Sequence, residues 1–466
     1  MNQVIRLLLV YSITASFADA AIYLTVTGAK VKKANLMVGK VHWTAPSVLS
    51  EKLDQEVAKD LRFLNLFDFA DQSITQSLDK PNAHKELDFE EASKLNLAFA
   101  LKMSSWIEGP QLFLEAVLFD VAGKKRILAS RYQYPVVQFP RLVHAMSEDI
   151  LKELTGERGL FYSRILMSCK ELGGKSSAAN KEIYVVDPDA RNFTQVTSDK
   201  TLSLSPAWAG NGQWISYTQY EFIRRGRISK RGTVLKRHNI RSGERKYISA
   251  RDGMNSGASW SPDGETIAAT LSYAGRPEIF LFPGSGMGEP TPLSRQILWR
   301  KLSGEGFQPT SVEQLFDVEP DWSPNGKEIV FSSARTGHPM IYIVNVASHE
   351  ARQLTFAGQY NASPSWSPRG DKIIFAAQRT GEGNFDLYGI DPDGNNLERL
   401  TSGDAPGRRF NNENASWAPT GRHFTYASNE GGRYRVYVRT LDGRESWPIS
   451  PPNRECMTPA WSPFEG

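Results

Sequence analysis

The stretch Trp260-Ser261-Pro262-Asp263-Gly264 decides the fold, because degraded copies of it recur along the chain. Asp-Gly after the proline supports a tight turn, since glycine accepts positive φ and aspartate or asparagine tolerates it. The other copies begin at five further tryptophans, the last of them truncated: Trp208, Trp322, Trp366, Trp417 and Trp461. Six tryptophans therefore mark six repeated units.

The spacing of these tryptophans is 52, 62, 44, 51 and 44 residues, close to the roughly 40–50 residues of one four-stranded propeller blade. A run of β-branched and aromatic residues follows the turn, as in Ile329 to Phe331, and indicates a buried strand. Two further strand signals come next, such as Met340 to Val344 and Arg352 to Thr355. The sequence predicts a six-bladed β-propeller with four strands in each blade.

The sixth repeat ends at Gly466, so the strand containing Trp461 has no partner downstream. Matching strand signals occur before the first repeat, at Phe161 to Ser168, Ile183 to Asp187 and Thr194 to Thr197. We therefore expect the last blade to combine strands from both ends of the propeller region. Such a closure removes the open sheet edges that favour aggregation.

A chain of 466 residues exceeds one hydrophobic core, so a second domain is expected. The predicted divisions are a signal peptide at 1–20, a flexible segment at 21–34, an α/β domain at 35–157 and the propeller at 158–466. The leader combines Arg6, a short apolar stretch and an Ala18-Asp19-Ala20 cleavage pattern, typical of export; a buried N-terminal helix is the alternative. No later stretch approaches the roughly 18 apolar residues of a membrane span.

The α/β domain is expected to have a mixed sheet. Asn35 to Trp43 has a strand pattern, whereas Pro46 to Leu64 and Pro140 to Leu154 have the apolar periodicity of amphipathic helices. Because it has few strands, this domain is expected to pack against the propeller.

The formal net charge is +4, too small to indicate nucleic-acid binding. The basic excess is local and admits two interpretations. One is a solvated hairpin on the outer edge of a blade, where charge prevents strand pairing; the other is a patch for an anionic envelope surface or an acidic partner. Its members are Arg224, Arg225, Arg227, Lys230, Arg231, Lys236 and Arg237.

Motifs for catalysis and metal binding are missing from the sequence. It contains no Gly-x-Ser-x-Gly, and about 130 N-terminal residues are too few for an α/β-hydrolase domain. The seven histidines are scattered without metal-ligand spacing. We predict a protein that is not an enzyme and needs no metal or cofactor.

The two cysteines, Cys169 and Cys456, fall on strands that are expected to pair within the spliced blade. Export would place them in an oxidising compartment, which favours a disulfide across the closure. Two separate buried thiols are the alternative.

The order of domains and the truncated last repeat, Pro459-Ala460-Trp461-Ser462-Pro463, resemble the TolB family, the periplasmic component of the Tol-Pal system. Glu153-Leu154-Thr155-Gly156 at the end of the α/β domain and Arg164-Ile165-Leu166 after it add to the resemblance, which covers nearly the whole mature chain. It implies a monomeric periplasmic scaffold that supports outer-membrane integrity and cell division. Its implied partners are the peptidoglycan-associated lipoprotein Pal, bound at the propeller mouth, and TolA, bound by the N-terminal segment.

The resemblance also implies which residues contact the partners. The Pal contacts lie in loops just before the repeat tryptophans and correspond here to Met254, Asn255, Gly257, Val318, Glu319, Asn361 and Glu413. Met254 stands where the family often has histidine. The TolA segment corresponds to Thr27, Lys30, Val31, Lys32 and Lys33, and its lysines replace the acidic residues of better-known members.

A competing hypothesis is an exported propeller that binds or cleaves a carbohydrate or peptide in its channel. An enzyme of this kind needs convergent carboxylates, or a nucleophile with a base, on the channel-lining strands. The inner strands offer mainly serine, alanine and tryptophan, so we favour the scaffold.

Overall fold

The computed structural model describes eleven stretches of the chain and leaves the predicted leader and residues 21–32 outside the described residues. The described residues are 33–44, 48–80, 85–173, 180–225, 228–294, 299–301, 307–309, 316–378, 383–405, 408–443 and 445–464.

Residues 34–155 form an α/β unit around one five-stranded sheet with the order β2-β1-β3-β4-β5. β1 pairs in parallel with β2 and β3, whereas β3, β4 and β5 form an antiparallel meander, so the sheet is mixed as predicted. The strands are β1 (Ala34–Trp43), β2 (Phe67–Phe69), β3 (Phe99–Glu108), β4 (Gln111–Asp120) and β5 (Lys125–Pro135).

Two long helices of this unit present apolar stripes to a common core. They are α1 (Ser50–Phe63) and α4 (Phe139–Thr155), and α4 is capped by Gly156 in the left-handed conformation favoured by glycine. Two short helices were not predicted, α2 (Gln72–Thr75) and α3 (Phe89–Lys94). Each begins after an aspartate whose carboxylate accepts hydrogen bonds from the first helical backbone N–H groups.

Twenty-four of the remaining strands form six four-stranded antiparallel sheets, which confirms the predicted propeller. In blades 1 to 5 the strands follow in chain order from the channel outward. Blade 1 contains β9 (Ser203–Trp208), β10 (Trp214–Arg225), β11 (Ile228–Asn239) and β12 (Arg245–Ser249). Blade 2 contains β13 (Asn255–Trp260), β14 (Thr266–Leu271), β15 (Glu278–Pro283) and β16 (Thr291–Pro292).

Blades 3 to 5 repeat this pattern. Blade 3 contains β19 (Asp317–Trp322), β20 (Glu328–Ser333), β21 (Met340–Asn345) and β22 (Ala351–Gln353). Blade 4 contains β23 (Tyr360–Trp366), β24 (Ile373–Gln378), β25 (Phe385–Ile390) and β26 (Glu398–Arg399). Blade 5 contains β29 (Asn412–Trp417), β30 (His423–Ser428), β31 (Arg435–Thr440) and β32 (Ser446–Pro448). Two small hairpins precede blades 3 and 5, β17 (Trp299–Lys301) with β18 (Phe307–Pro309) and β27 (Asp404–Ala405) with β28 (Arg408–Arg409).

The sixth blade closes the ring with strands from both ends of the propeller, as predicted. Its order is β33-β6-β7-β8, with β33 (Arg454–Trp461) innermost and β6 (Ile165–Glu171), β7 (Glu182–Val186) and β8 (Thr194–Gln195) outside it. Cys456 lies directly opposite Cys169 in this ladder, and the two form a disulfide. The bond therefore joins residues 287 positions apart in sequence.

The six repeat tryptophans end the inner strands and connect neighbouring blades. All are 6–8 % exposed. The indole N–H of Trp322 donates to the Ser259 carbonyl of the preceding blade, and that of Trp417 donates to the Ser365 carbonyl. Trp208 donates to the Ala460 carbonyl and so spans the seam between blades 6 and 1. The repeat therefore encodes contacts between blades as well as the turn.

The two domains share one core. The largest hydrophobic cluster combines Leu61 and Leu142 of the α/β unit with Val438 and Trp461 of the propeller, so the predicted contact between the domains is confirmed. Phe63 of α1 stacks on the buried His423 ring at 4.9 Å, and burial lowers the pKa of His423 to about 3.

Candidate functional site at the open end of the propeller

The α/β domain covers one end of the propeller. Glu157 forms ion pairs with Arg369 and Arg422, which lie in turns after the first strands of blades 4 and 5. Arg191, in the turn after the third strand of blade 6, pairs with Glu56 of α1. All these turns lie at the end where the inner strands finish. The starts of the inner strands lie at the opposite end, which we call the mouth.

Each inner strand contains a β-bulge about halfway along, at which one residue adopts a left-handed conformation. This residue always lies three positions before the repeat tryptophan, with φ between 48° and 59°. The strand register shifts at the same place in all six blades. The six residues are Ser205, Gly257, Glu319, Ser363, Asn414 and Thr458. Together they form a ring around the central channel.

The channel encloses about 460 Å³, and all six bulge residues line it together with every repeat tryptophan except Trp322. Four of the bulge residues are followed by proline, as in Ser205-Pro206 and Glu319-Pro320. Proline has no N–H to offer the ladder, so it fits a bulge better than a regular strand. A proline two residues before four of the six repeat tryptophans is therefore the sequence signal that could have located this ring.

Glu319 crosses the channel wall from blade 3 to blade 4. Its Oε2 accepts hydrogen bonds from the Ser363 backbone N–H at 2.7 Å and from the Ser332 hydroxyl at 3.2 Å, and its Oε1 accepts from the Ser363 hydroxyl at 3.1 Å. Its own N–H donates to Thr270 Oγ1 of blade 2 at 3.3 Å. This predicted contact residue therefore connects three blades at the mouth, and it is half-buried.

Glu413 adds a second carboxylate to the mouth. Its Oε1 accepts a hydrogen bond from the Tyr434 hydroxyl at 2.9 Å. Burial raises the pKa of Glu413; the Tyr434 hydrogen bond opposes this rise, and the charge of Glu319 adds to it. Two carboxyl groups, those of Glu319 and Glu413, therefore lie on this side of the mouth.

Sequence reasoning missed a third carboxylate, Asp321, in the wall of the channel. Its Oδ1 accepts a hydrogen bond from the Ser259 hydroxyl at 2.8 Å, and its Oδ2 accepts from the Trp366 backbone N–H at 2.8 Å. Burial raises its pKa to about 6 against the lowering effect of these hydrogen bonds. The inner strands are therefore less uniformly neutral than their serine, alanine and tryptophan content indicates.

Asn255 and Asn361 also lie at the start of inner strands, but their side chains are turned inward. They are 0 % and 1 % exposed. The Asn255 amide donates to the carbonyls of Thr233 and Arg251, each at 2.8 Å. The Asn361 amide donates to Thr355 Oγ1 at 2.9 Å and to the Ala357 carbonyl at 3.0 Å. In this structure both side chains fasten the loops that precede their strands.

The other predicted contacts are more accessible. Met254 is 40 % exposed, and its backbone N–H is fixed by Ser272 Oγ at 2.7 Å. Val318 is half-buried beside Glu319. Gly257 is the bulge residue of blade 2. The structure thus places all seven predicted positions in the inner strands or the loops before them, with Met254, Val318, Glu319 and Glu413 partly open to solvent.

Among the residues of the predicted TolA segment, Lys33 lies within the described part of the chain. Its ammonium group contacts Asp442 of blade 5 at 3.1 Å, and the Lys33 side chain is 7 % exposed. Thr27, Lys30, Val31 and Lys32 lie outside the described residues. The segment therefore enters the fold at the end of the propeller opposite the mouth.

One group of potential metal ligands lies between the two domains, away from the mouth. Glu56, His144 and Asp189 bring one ligand atom each within 4.8 Å of one another. Arg191 already binds two of them, donating from Nη2 to Glu56 at 2.7 Å and from Nη1 to Asp189 at 2.5 Å. Because the guanidinium group of Arg191 supplies the positive charge between these carboxylates, the arrangement is that of an ion-pair network.

Comparison with known proteins identifies the family of this chain. The model of the TolB β-propeller domain matches residues 151–465. This chain belongs to the TolB family. The chain is 30 % identical to the Tol-Pal system protein TolB of Desulfosudis oleivorans over 248 residues, which are 52 % of this chain and 53 % of that protein. It is 28 % identical to a TolB homolog of Chlorobium luteolum over 307 residues, which are 66 % of this chain and 62 % of that protein.

The chain thus spans between half and two thirds of the length of these two curated TolB relatives. Its fold is similar to that of the crystal structure of TolB from Acinetobacter baumannii, with a TM-score of 0.72 and 22 % identity. That similarity covers 95 % of this chain and 100 % of the other, so it includes the α/β domain as well as the propeller. In the part of the chain that the structure describes, no helix is long and apolar enough to cross a membrane.

Proposed function

We propose that this protein is a component of a Tol-Pal system and binds a peptidoglycan-associated lipoprotein at the mouth of its propeller. In this role it is a scaffold of the periplasm that supports outer-membrane integrity and cell division, without catalysing a reaction. Export through the predicted leader and membership of the TolB family support this assignment.

The observation that carries the proposal is the arrangement of the mouth. The α/β domain contacts the opposite end of the propeller through Glu56 and Glu157, so within the described part of the chain it leaves the starts of the inner strands uncovered. The exposed Met254 and the carboxylates of Glu319 and Glu413 surround this opening. An accessible apolar side chain beside fixed charged groups suits a protein interface with a desolvated centre.

The buried predicted contacts have a supporting role in this proposal. Asn255 and Asn361 hold the loops before blades 2 and 4 through hydrogen bonds to backbone carbonyls. The lipoprotein would then contact the surface of these loops rather than the side-chain amides of Asn255 and Asn361.

We further propose that the N-terminal segment binds TolA. Lys33 anchors the end of this segment on Asp442, and Lys30 and Lys32 precede it in the sequence. The basic character of the segment favours an acidic surface on the partner.

The test is calorimetric binding of the purified mature protein to the lipoprotein of the same organism. Met254→Arg adds bulk and charge at the mouth, and we expect it to weaken binding at least about tenfold. Glu265→Arg is the matched control, because Glu265 is an exposed residue in the turn after the first strand of blade 2, at the other end of the propeller. The proposal fails if the unmodified protein does not bind, or if both variants weaken binding equally.

A further inference from the structure

A cavity of about 440 Å³ lies in the cleft between blades 6 and 1, at the end of the propeller opposite the mouth. We call it the seam cavity. Blade 6 lines it with Leu166 and Val185, blade 1 lines it with Trp208 and Ile240, and the α/β domain contributes Arg141 from the start of α4. Small-molecule sites commonly have volumes of roughly 300–1,000 Å³. The seam cavity is therefore large enough to hold a ligand.

His238 gives the seam cavity a buried polar group without a partner. It lies on β11, the third strand of blade 1, with β12 outside it; the sequence-based placement of the β10–β11 hairpin on the outer edge of a blade is therefore wrong. His238 is 5 % exposed, and its buried Nδ1 has no hydrogen-bond partner among the described residues. Leaving a buried polar group unpaired is costly. A partner supplied from outside the protein would remove this cost.

The propeller fold does not call for a histidine at this position. His238 pairs with Ile215, the residue that lies opposite the repeat tryptophan of blade 1. Four of the five equivalent positions in the other blades are apolar, and the five residues are Phe282, Val344, Ile390, Arg439 and Val186. An apolar side chain therefore satisfies the packing between blades here, and the imidazole of blade 1 indicates another role.

The charges around the seam cavity favour an anion. The guanidinium group of Arg164 lies over the Trp208 ring, 5.2 Å from its centre, and Arg141 is exposed. Asp187 is the acidic residue of the lining, and its Oδ2 already accepts a hydrogen bond from Asn192 at 2.6 Å. Burial raises the pKa of Asp187, and the charge of Arg141 opposes this rise. Two arginines against one aspartate leave the lining with a formal charge of +1.

We propose that the seam cavity binds a small organic anion that combines a carboxylate or phosphate group with an apolar body. The guanidinium groups of Arg141 and Arg164 suit either anionic group, because their parallel N–H donors match two oxygens at once. Burial and the charge of Arg245 lower the pKa of His238, so its ring is neutral at pH 7 and has one N–H to donate. The apolar body would pack against the aliphatic side chains of the lining.

This site is separate from both proposed partner sites. The lipoprotein would bind at the mouth, and the N-terminal segment enters the fold at Asp442 of blade 5. Because the seam cavity is lined by α4 as well as by blades 6 and 1, its ligand would contact both domains at the closure of the ring. A ligand that binds only the folded protein stabilises it increasingly with concentration. We therefore expect the bound anion to raise the temperature of unfolding.

The test is calorimetric titration of the full mature protein with benzoate, phenyl phosphate and benzyl alcohol. The three share an aromatic ring, and benzyl alcohol lacks the charge. We expect benzoate, phenyl phosphate or both to bind, with an affinity that falls as salt is added, and benzyl alcohol to bind at least about tenfold more weakly. Binding of only one of the two anions identifies the anionic group. Binding of neither anion, or equal binding of benzyl alcohol, would overturn the proposal.

Two variants locate the binding. Arg141→Ser should weaken it roughly tenfold, and Lys152→Ser is the matched control, because Lys152 is exposed on the same helix about 16 Å away. His238→Phe gives blade 1 the residue type that blade 2 has at this position, so it should fold with little change in unfolding temperature and still lose binding roughly tenfold. Equal loss in Arg141→Ser and Lys152→Ser would show an effect of net charge and overturn the proposal. Unchanged binding in both Arg141→Ser and His238→Phe would overturn it too, because the anion would then lie elsewhere.

Discussion

The left-handed residues of the inner strands are the positions at which single side chains shape the mouth. Glu319 accepts a hydrogen bond from the backbone of Ser363, and Asn414 Nδ2 donates to Ser363 Oγ at 3.4 Å. Bulge residues of blades 3, 4 and 5 are thereby connected in sequence around the channel. A side chain in this conformation costs roughly 1–2 kcal/mol relative to glycine. These hydrogen bonds offset that cost.

Gly257 is the bulge residue that lacks a side chain, which makes it a test of the backbone cost alone. An added Cβ would meet Thr270 Oγ1 at 3.5 Å, an ordinary contact. We therefore expect Gly257→Ala to lower the free energy of unfolding by about 1 kcal/mol through its positive φ of 59°. Chemical denaturation measures this. Gly383→Ala is the control, since a Cβ there meets nothing within 4 Å, and equal effects in both variants would contradict the account.

Asp321 should make stability depend on pH in the acid range. Its pKa is raised to about 6 in the folded protein, so between pH 4 and 6 the folded state holds a proton that the unfolded state has lost. Folding stability due to this group therefore falls as pH rises through that window. Because Asp321 is only partly buried in the channel wall, we expect a loss of about 1–3 kcal/mol.

The measurement is urea unfolding of the unmodified protein and Asp321→Asn at several pH values from 4 to 7. Asparagine does not titrate, so the stability of the unmodified protein should fall relative to the variant up to about pH 6 and then run parallel. Parallel curves over the whole range would show that the carboxyl group has an ordinary pKa.

The mouth also shows which features of single residues could not be predicted from the sequence. The positions before each tryptophan were predictable from the repeat. The repeat does not say whether an asparagine faces a partner or its own loop, and Asn255 and Asn361 do the latter in this structure. Asp321 escaped notice because its partners Ser259 and Trp366 lie 62 and 45 residues away in sequence.

At the scale of elements, the predicted and observed boundaries agree best where periodicity is strong. The helix predicted at 140–154 is observed at Phe139–Thr155, whereas the helix predicted at 46–64 is shorter, Ser50–Phe63. The four-residue helix α2 and the six-residue helix α3 are too short to show a period. The ring closure was predictable because a truncated repeat and unmatched strand signals occur at the two ends of one region.

The disulfide reinforces that closure, and its removal should be costly. Cross-linking residues 287 positions apart restricts the unfolded chain strongly, and loss of such bonds typically lowers stability by about 2–5 kcal/mol. We expect Cys169→Ala with Cys456→Ala to lower the unfolding midpoint while the protein still folds, because the hydrogen-bonded ladder between β33 and β6 remains. Reduction should shift the unmodified protein toward the variant and leave the variant unchanged. A reductant effect on both would assign the shift to another cause.

At the scale of the whole molecule, an ion-pair network couples the two domains. His144 on α4 lies between Asp60 of α1, at 2.7 Å from Nδ1, and Asp189 of the propeller, at 3.2 Å from Nε2. Burial alone would lower the pKa of His144, but hydrogen bonds to Asp189 and Asp60 outweigh burial and raise the pKa to about 9. Burial raises the pKa of Asp60 to about 6. The other charged groups facing this histidine include Glu56 and Lys59 of α1, Glu148 of α4, and Asp187 and Arg191 of blade 6.

The protonated His144 should therefore stabilise the contact between the two domains at neutral pH. This stabilisation should be lost at basic pH. A pKa raised from about 6.5 to about 9 gives stability that is fully present below pH 6.5 and lost as pH rises through 9. We expect His144→Gln to lower the free energy of unfolding by about 1–3 kcal/mol at pH 6.5 and by much less at pH 9.5. His349→Gln, at an exposed turn of blade 3, is the control and should have the same small effect at both pH values. A pH-independent loss in His144→Gln would mean that this histidine supports the interface by packing against Phe161, whose ring lies 4.9 Å away, rather than by charge.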